Sequence, residues 1–201
     1  MRRAQCELHE VSEIEAILLR GRIGVVATHG ADGYPYATPV NYVYRNGSVY
    51  FHGARQGEKV DNIRRDSRVC FTVALPLAYK ERACDPDGPP CSAHQFYHSA
   101  ILRGRAEMVE AMEEKLMALN ALLSSHENRP DGHEVTADMP PVDICAVMAI
   151  RVESMTGKSD FAQKKSPEDK RRIAAFLRQR GLPGDIEAAR LMTGTLESEP
   201  R

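Results

Sequence analysis

The sequence predicts a mainly β protein with helices, built as a small antiparallel β-barrel. The first observation is an Asn46-Gly47 turn between two β-rich runs, which is the strongest short-range signal for a β-hairpin. The second is the number of β-rich runs, about six, separated by turns and short helical patterns. A hairpin favours antiparallel order, so this pattern fits a barrel with helical decoration better than a doubly wound sheet.

The individual elements follow from apolar periodicity and from turn residues. Ser12 and Glu15 have the spacing of a capping box at the start of a first helix. Pro39 lies inside a predicted strand, which indicates an edge, a bulge or a place left open for a ligand. The predicted strands are residues 22–28, 36–44, 48–53, 68–75, 96–109 and 144–152. The predicted helices are residues 13–20, a helix that begins at Lys59, residues 110–124, a helix that begins at Ser166-Pro167, and residues 186–192. Residues 76–95 and 128–141 are predicted loops.

Composition excludes several classes of protein. The chain has 201 residues, 42% hydrophobic and 27% charged, with a formal net charge of -1, so no global field favours nucleic acid or an anionic membrane surface. No apolar run has the length of a membrane span, and the N-terminus has no secretory signal. From the charge and the lack of a long apolar run we expect no nucleic-acid or membrane partner. The odd number of cysteines, five, without a signal indicates reduced thiols, so we expect a cytoplasmic protein.

A candidate phosphate cradle follows the hairpin. Gly57 allows a close backbone approach, and Lys59 comes at the start of a helical pattern. A phosphate needs a cation, backbone N–H donors or a helix N-terminus, and this stretch can offer all three. The spacing alone also fits a solvated lysine in the first turn of a helix.

His52 follows Tyr50 and Phe51 at the end of the second hairpin strand. Strand alternation places Tyr50 and His52 on one face and Phe51 on the other. His52 is therefore either a side chain that points into a cofactor cleft, where it could donate a proton, or a histidine satisfied at a strand end.

Cysteines and histidines cluster between residues 84 and 98. Cys84, Cys91, His94 and His98 have the spacing C-x6-C-x2-H-x3-H, and thiolates with imidazoles are zinc ligands. The x6 spacing is looser than that of structural zinc sites, so we predict no metal site and prefer a proline-rich substrate loop with free thiols.

A series of motifs in order makes the chain resemble the FMN-binding split-barrel superfamily, which includes the pyridoxamine 5′-phosphate oxidases. Within it, the chain is most similar to the Nim-like branch, named for nitroimidazole-resistance proteins. The resemblance runs from about Arg22 to Lys158. The motifs are Gly24-Val25-Val26-Ala27, the run from Gly33 to Tyr42, Val49-Tyr50-Phe51-His52-Gly53-Ala54, Gly57-x-Lys59-x-Asp61-x-Ile63, Arg68-Val69-Cys70-Phe71, and Tyr97-x-Ser99-Ala100-Ile101-x-x-x-Gly104.

This resemblance implies a six-stranded antiparallel split β-barrel that forms a homodimer with FMN at the interface. It implies that Thr38-Pro39-Val40-Asn41 lie along the flavin ring and that His52, Gly53 and Ala54 lie beside the flavin or its ribityl chain. Lys59 would hold the phosphate, and His98 and Ser99 would contact the cofactor from another strand. The oxidases carry an Arg-Lys pair at the phosphate, whereas this chain has Glu58-Lys59, and Arg55 is a candidate for the missing cation.

We therefore expect an FMN-dependent oxidoreductase that passes electrons from reduced FMN to a small-molecule acceptor, with His52 as the candidate catalytic residue. The alternative is a non-enzymatic flavin- or haem-binding regulatory module, in which His52 or His98 would be an axial ligand. The expected domains are residues 1–158, the FMN-binding split barrel, and residues 159–201, a helical C-terminal extension that packs on the same domain.

Overall fold

The computed structural model describes residues 3–127 and 133–197. The chain divides into two compact units that each draw on distant parts of the sequence. The first unit comprises Met1–His9, Ala74–Ser99 and Gly157–Arg201, and the second comprises Glu10–Val73 and Ala100–Thr156.

Eight strands and six α-helices make up the regular structure of the described residues. The strands are β1 (Glu7–Leu8), β2 (Ile23–His29), β3 (Pro35–Asn41), β4 (Val43–Arg45), β5 (Ser48–Gly53), β6 (Arg68–Lys80), β7 (His94–Met108) and β8 (Ala146–Asp160). The helices are α1 (Val11–Arg20), α2 (Glu58–Arg65), α3 (Met112–His126), α4 (Pro140–Ile144), α5 (Pro167–Arg180) and α6 (Asp185–Glu197).

The second unit contains strands β2 to β5 and the parts of β6, β7 and β8 that fall within its residue ranges, and the strand order is β3-β2-β6-β7-β8-β5-β4. The β4–β5 hairpin turns at Asn46-Gly47, and both residues have positive φ, 51° and 72°, as a type I′ turn requires. β5 then pairs with β8, which sets His52 opposite Val147 and Gly53 opposite Ala146. The predicted hairpin is therefore confirmed, and its second strand forms part of the sheet interior.

Aromatic side chains pack tightly at the α1 side of this unit. The Tyr42 and Phe71 rings meet edge to face at 4.9 Å, and the Tyr42 hydroxyl donates to the Leu18 carbonyl at 2.6 Å. Burial raises the pKa of Tyr42, so its hydroxyl stays a donor at physiological pH. The predicted strand 36–44 is divided at Tyr42 into β3 and β4.

The first unit combines short strand segments with the two C-terminal helices. β1 pairs with the end of β8, with Glu7 opposite Lys158. Ser166 caps α5 by accepting from the Asp169 N–H at 3.1 Å, as the sequence predicts. The core of the first unit is formed by apolar residues from β6, β7, α5, α6 and the residue after β8, chiefly Leu77, Phe96, Phe161, Ile173, Leu177 and Met192.

The fold class is confirmed: the protein is mainly antiparallel β with helices. The strand number differs, because the described residues form eight strands and the prediction had six. The predicted capping box is wrong, since α1 begins at Val11 and Ser12 lies inside the helix. The predicted loop 76–95 is also partly wrong, because β6 continues to Lys80 where Leu77 and Ala78 enter the core of the first unit.

Residues 128–132 of the predicted polar loop lie outside the described residues, and its end forms α4. The predicted domain boundary at residue 158 stays a prediction.

Candidate functional site

β3 carries the stretch predicted to lie along a flavin ring. It pairs with β2 alone among the described strands, so it is an edge strand, as Pro39 led us to expect. Pro39 and Asn41 are exposed, whereas Val40 is buried and Thr38 is half-buried on the opposite face. The strand also approaches β5, which brings the two predicted cofactor-binding segments of this unit close together.

Thr38 has a hydroxyl in an unusual state. Its Oγ1 atom is buried and has no hydrogen-bond partner among the described residues. Thr28, on the neighbouring strand, shows the ordinary arrangement, because its hydroxyl accepts from Asn62 at 3.1 Å and donates to the Tyr36 carbonyl at 3.3 Å. A buried hydroxyl without a partner costs free energy, so Thr38 is a polar group that a ligand could satisfy.

The end of β5 places two predicted site residues near the surface. Phe51 is fully buried, His52 is exposed and Gly53 is half-buried. Because side chains alternate along a strand, His52 shares a face with Tyr50, and Phe51 points the other way. Ala54, directly after the strand, is exposed.

α2 begins directly after Gly57, whose φ of 120° is a conformation that glycine adopts without strain. A Cβ at Gly57 would meet no atom within 4 Å, so the backbone there borders open space. The Lys59 ammonium lies over the Phe51 ring, 5.1 Å from its centre. Burial lowers the pKa of Lys59 from its ordinary value, because no described acid compensates the loss of water.

A second cationic group lies beside the end of β5. Arg55, Arg64 and Lys115 line a cavity of about 180 Å³ together with the β8 residues Ala146 and Val147. Glu110 also lines it, so the cationic side chains outnumber the acid three to one. Sequence reasoning named Arg55 as a candidate cation but missed Arg64 and Lys115, since their positions relative to Arg55 depend on the tertiary fold.

His98 and Ser99 belong to the first unit, on β7. The His98 ring packs against Phe161 with 4.8 Å between ring centres, and both His98 and Ser99 are half-buried. The other predicted cofactor-binding residues, from Thr38 to Lys59, belong to the second unit.

The predicted site residues of the second unit are therefore brought together only in part. Lys59 contacts the Phe51 side of β5, and His52 projects from the opposite face. Each remains a predicted ligand contact, but Lys59 of α2 packs on the face of β5 that carries Phe51, whereas His52 projects from the other face.

The cysteines and histidines between residues 84 and 98 are dispersed. Cys84 is buried, Cys91 is exposed, and the His94 ring contacts Asp160 with 3.2 Å between Nε2 and Oδ1. Within residues 3–127 and 133–197, no three side chains of His, Cys, Asp or Glu are grouped closely enough to hold a metal ion. In the same ranges, no helix combines the length and apolar character needed to cross a bilayer.

The antiparallel, mainly β fold with helices places the protein in the class of split-barrel-like β proteins. The chain belongs to the pyridoxamine 5′-phosphate oxidase family, whose model matches residues 10–159. No curated protein matches the sequence closely enough to count as a relative.

Solved structures with this fold span most of the chain. A candidate 5-nitroimidazole antibiotic resistance protein from Bacteroides thetaiotaomicron is 28% identical, with a TM-score of 0.64, 76% of this chain covered and 85% of that one. A flavocytochrome from Azotobacter vinelandii is 20% identical, with a TM-score of 0.66 and coverages of 84% and 76%. An FAD and haem binding protein from Mycobacterium smegmatis is 18% identical, with a TM-score of 0.64 and coverages of 81% and 78%. The last two similarities concern the fold alone.

Proposed function

We propose that this protein binds FMN and acts as an oxidoreductase that passes electrons from the reduced flavin to a small-molecule acceptor. The observation that carries the proposal is the edge strand β3 with the buried, unsatisfied Thr38 hydroxyl, set in a member of the pyridoxamine 5′-phosphate oxidase family. The candidate 5-nitroimidazole resistance protein, at 28% identity, supports a small acceptor of the nitro-aromatic kind.

The start of α2 fits a phosphate group. Gly57 leaves open space at the first turn, where the backbone N–H groups of a helix are free to bind an anion. Lys59 adds a positive charge whose surroundings are already partly desolvated, which strengthens its attraction for an anion. Glu58 opposes this attraction, but it is exposed to solvent and its charge is screened.

Arg55, Arg64 and Lys115 offer the additional positive charge that the Glu58-Lys59 sequence lacks. Arg55 donates to the Asp143 carbonyl at 2.5 Å, which fixes its guanidinium beside the cavity at the end of β5. A guanidinium has five N–H donors, so this single contact leaves capacity for a phosphate oxygen.

β3 fits the edge of a planar heterocycle. An edge strand has one row of backbone N–H and C=O groups without strand partners, and these match the donors and acceptors of a flavin ring. The Thr38 hydroxyl supplies a further donor at the same strand. FMN, when bound, would supply the electron-transfer chemistry. The exposed His52 would hydrogen-bond an acceptor molecule or give it a proton.

We also propose that the active form is a homodimer. The second unit exposes several large apolar side chains, including Leu19, Ile23 and Tyr34, at 69%, 61% and 75% exposure. Large apolar side chains exposed to this extent are candidates for an interface between two copies of the chain. Analytical ultracentrifugation of the full chain should show a dimer, and a monomer at micromolar concentration would contradict the proposal.

The test of the function is an absorption spectrum followed by titration. The purified protein should be yellow or should take up FMN, and it should bind FMN more tightly than riboflavin, which lacks the phosphate. Colourless protein that does not bind FMN in titration would overturn the proposal. A Soret band in place of flavin absorption would support the haem-binding alternative. A reductant with a nitro-aromatic acceptor then tests for turnover.

A further inference from the structure

The first unit contains a cavity that none of the flavin contacts on β3, β5 or α2 uses. The cavity measures about 250 Å³, and all of its lining residues belong to this unit. One wall is apolar and is formed by Phe96 and Ile173, which are 1% and 2% exposed. The other wall carries charged and polar groups from the N-terminus, the ends of β6 and β8, and the segment before α5.

The polar wall is strongly cationic. Arg3, Lys80, Lys164 and Lys165 line the cavity, whereas Asp160 is the single acid among the lining residues. Asp160 is already engaged, because Arg3 contacts its Oδ2 at 3.0 Å and Lys158 contacts the same atom at 3.2 Å. The cavity therefore has an excess of positive charge after its acid has been paired.

Two buried polar groups lie at this wall. The Lys80 side chain is only 3% exposed; its ammonium donates to the Ser92 carbonyl at 3.1 Å and lies 3.9 Å from an Asp85 oxygen. An ammonium has three N–H donors, one more than these contacts use. The Ser92 hydroxyl is buried and has no hydrogen-bond partner among the described residues, although such groups are costly to leave unsatisfied.

We propose that this cavity binds a small organic anion, with its carboxylate or phosphate at Ser92 and Lys80 and its apolar body against Phe96 and Ile173. The volume lies below the range of about 300–1,000 Å³ that is typical for drug-sized ligands, so the body is about one ring in size. His94, also a lining residue, packs edge to face on Phe96 at 5.2 Å and contacts Asp160, so it touches both an apolar and a charged lining residue.

The cavity's function would be to recognise a substrate-sized or regulatory anion in addition to the flavin. The anion-binding residues are independent of Thr38 and Lys59, so the proposal can be correct even if the protein binds no FMN. For the same reason, loss of FMN binding in a Lys59 variant should leave anion binding intact.

The test uses the full chain as purified and isothermal titration calorimetry with benzoate and phenyl phosphate, which distinguish a carboxylate from a phosphate preference. Benzamide and inorganic phosphate are the controls, because the first lacks charge and the second lacks a ring. At least one of the two aromatic anions should bind saturably, at least tenfold more tightly than either control. Binding of neither anion, or equal binding of the controls, would overturn the proposal.

Variants then locate the binding. Ser92→Ala should lower the affinity for the anion about tenfold or more, since a hydrogen bond to a charged group is lost. Lys80→Met should lower the affinity as well. Ser159→Ala and Lys170→Met are matched controls, because neither residue lines the cavity although both belong to the same unit. Thermal denaturation shows whether each variant is folded. Undiminished binding in folded Ser92→Ala protein would exclude the assigned anion position.

Discussion

The Lys59 ammonium nitrogen lies 5.1 Å from the centre of the Phe51 ring. Through this contact a positive charge in the first turn of α2 lies against Phe51, a fully buried aromatic side chain of β5. A desolvated cation attracts an anion more strongly than a hydrated one does, because less water must be displaced and the local dielectric is lower.

Replacing Lys59 should therefore weaken the binding of FMN more than the binding of riboflavin. In Lys59→Met protein we expect the FMN dissociation constant to rise about 10- to 100-fold, since a hydrogen bond to a charged group contributes roughly 1.5–3 kcal/mol. Riboflavin binding should change little. Fluorescence titration measures both constants, and Arg171→Met, which removes an exposed charge on α5, is the control. Equal losses for FMN and riboflavin would contradict a phosphate role for Lys59.

The pH dependence of FMN binding should reflect the ionisation of Lys59. Burial lowers the pKa of Lys59 in the ligand-free protein, and a bound phosphate would raise it again. FMN affinity should therefore fall as the pH rises from the lowered Lys59 pKa toward the pKa in the complex. Riboflavin affinity should not show this fall, and Lys59→Met should remove it. A pH-independent FMN affinity up to the alkaline limit of folding would contradict the prediction.

Glu58 provides the reverse test. Because Glu58 is exposed at the first turn of α2, Glu58→Lys should fold normally and restore a second cation beside Lys59. We expect FMN to bind about two- to fivefold more tightly, in keeping with charge effects of roughly 0.3–1 kcal/mol at a helix N-terminus. Riboflavin affinity is the internal control. Weaker FMN binding in the Glu58→Lys variant would argue for a phosphate position elsewhere.

The Thr38 hydroxyl should affect ligand binding without stabilising the free protein. Thr38→Val removes a buried hydroxyl that has no described partner, so the free energy of unfolding should stay the same or rise. Thr28→Val is the matched control, because it leaves the buried Asn62 amide without its acceptor and should cost about 1–3 kcal/mol. Chemical denaturation measures both values. FMN affinity should fall in Thr38→Val protein, and unchanged affinity would remove Thr38 from the flavin site.

Glu114 should make the free energy of unfolding depend on pH in the acid range. Arg151, at 2.8 Å, and the Tyr50 hydroxyl, at 2.7 Å, hold the pKa of Glu114 below its usual value. A depressed carboxyl pKa stabilises the folded state above the unfolded-state pKa, and this contribution is lost as the pH falls through the folded-state pKa. Glu114→Gln should therefore be less stable than the wild type at pH 7, with the difference disappearing in acid. Glu113→Gln, an exposed neighbour in the same helical turn, should show no such trend.

The sequence by itself determined the elements whose signals are local. The Asn46-Gly47 turn and the Ser166 cap form as predicted, because the energy that favours them comes from a few adjacent residues. The family was also recognisable from the sequence, since the spacing of motifs from Gly24 to Gly104 is a property of the chain alone.

Only the tertiary structure decided the features that depend on distant residues. β6 extends into the predicted loop as far as Lys80, because burial of Leu77 and Ala78 outweighs the local proline signal. Arg55, Arg64 and Lys115 line one cavity although 60 positions separate the first from the last, which no local pattern reveals. Lys59 of α2 lies against the Phe51 face of β5, whereas His52 projects from the other face, because the packing of α2 on the strand depends on the tertiary fold.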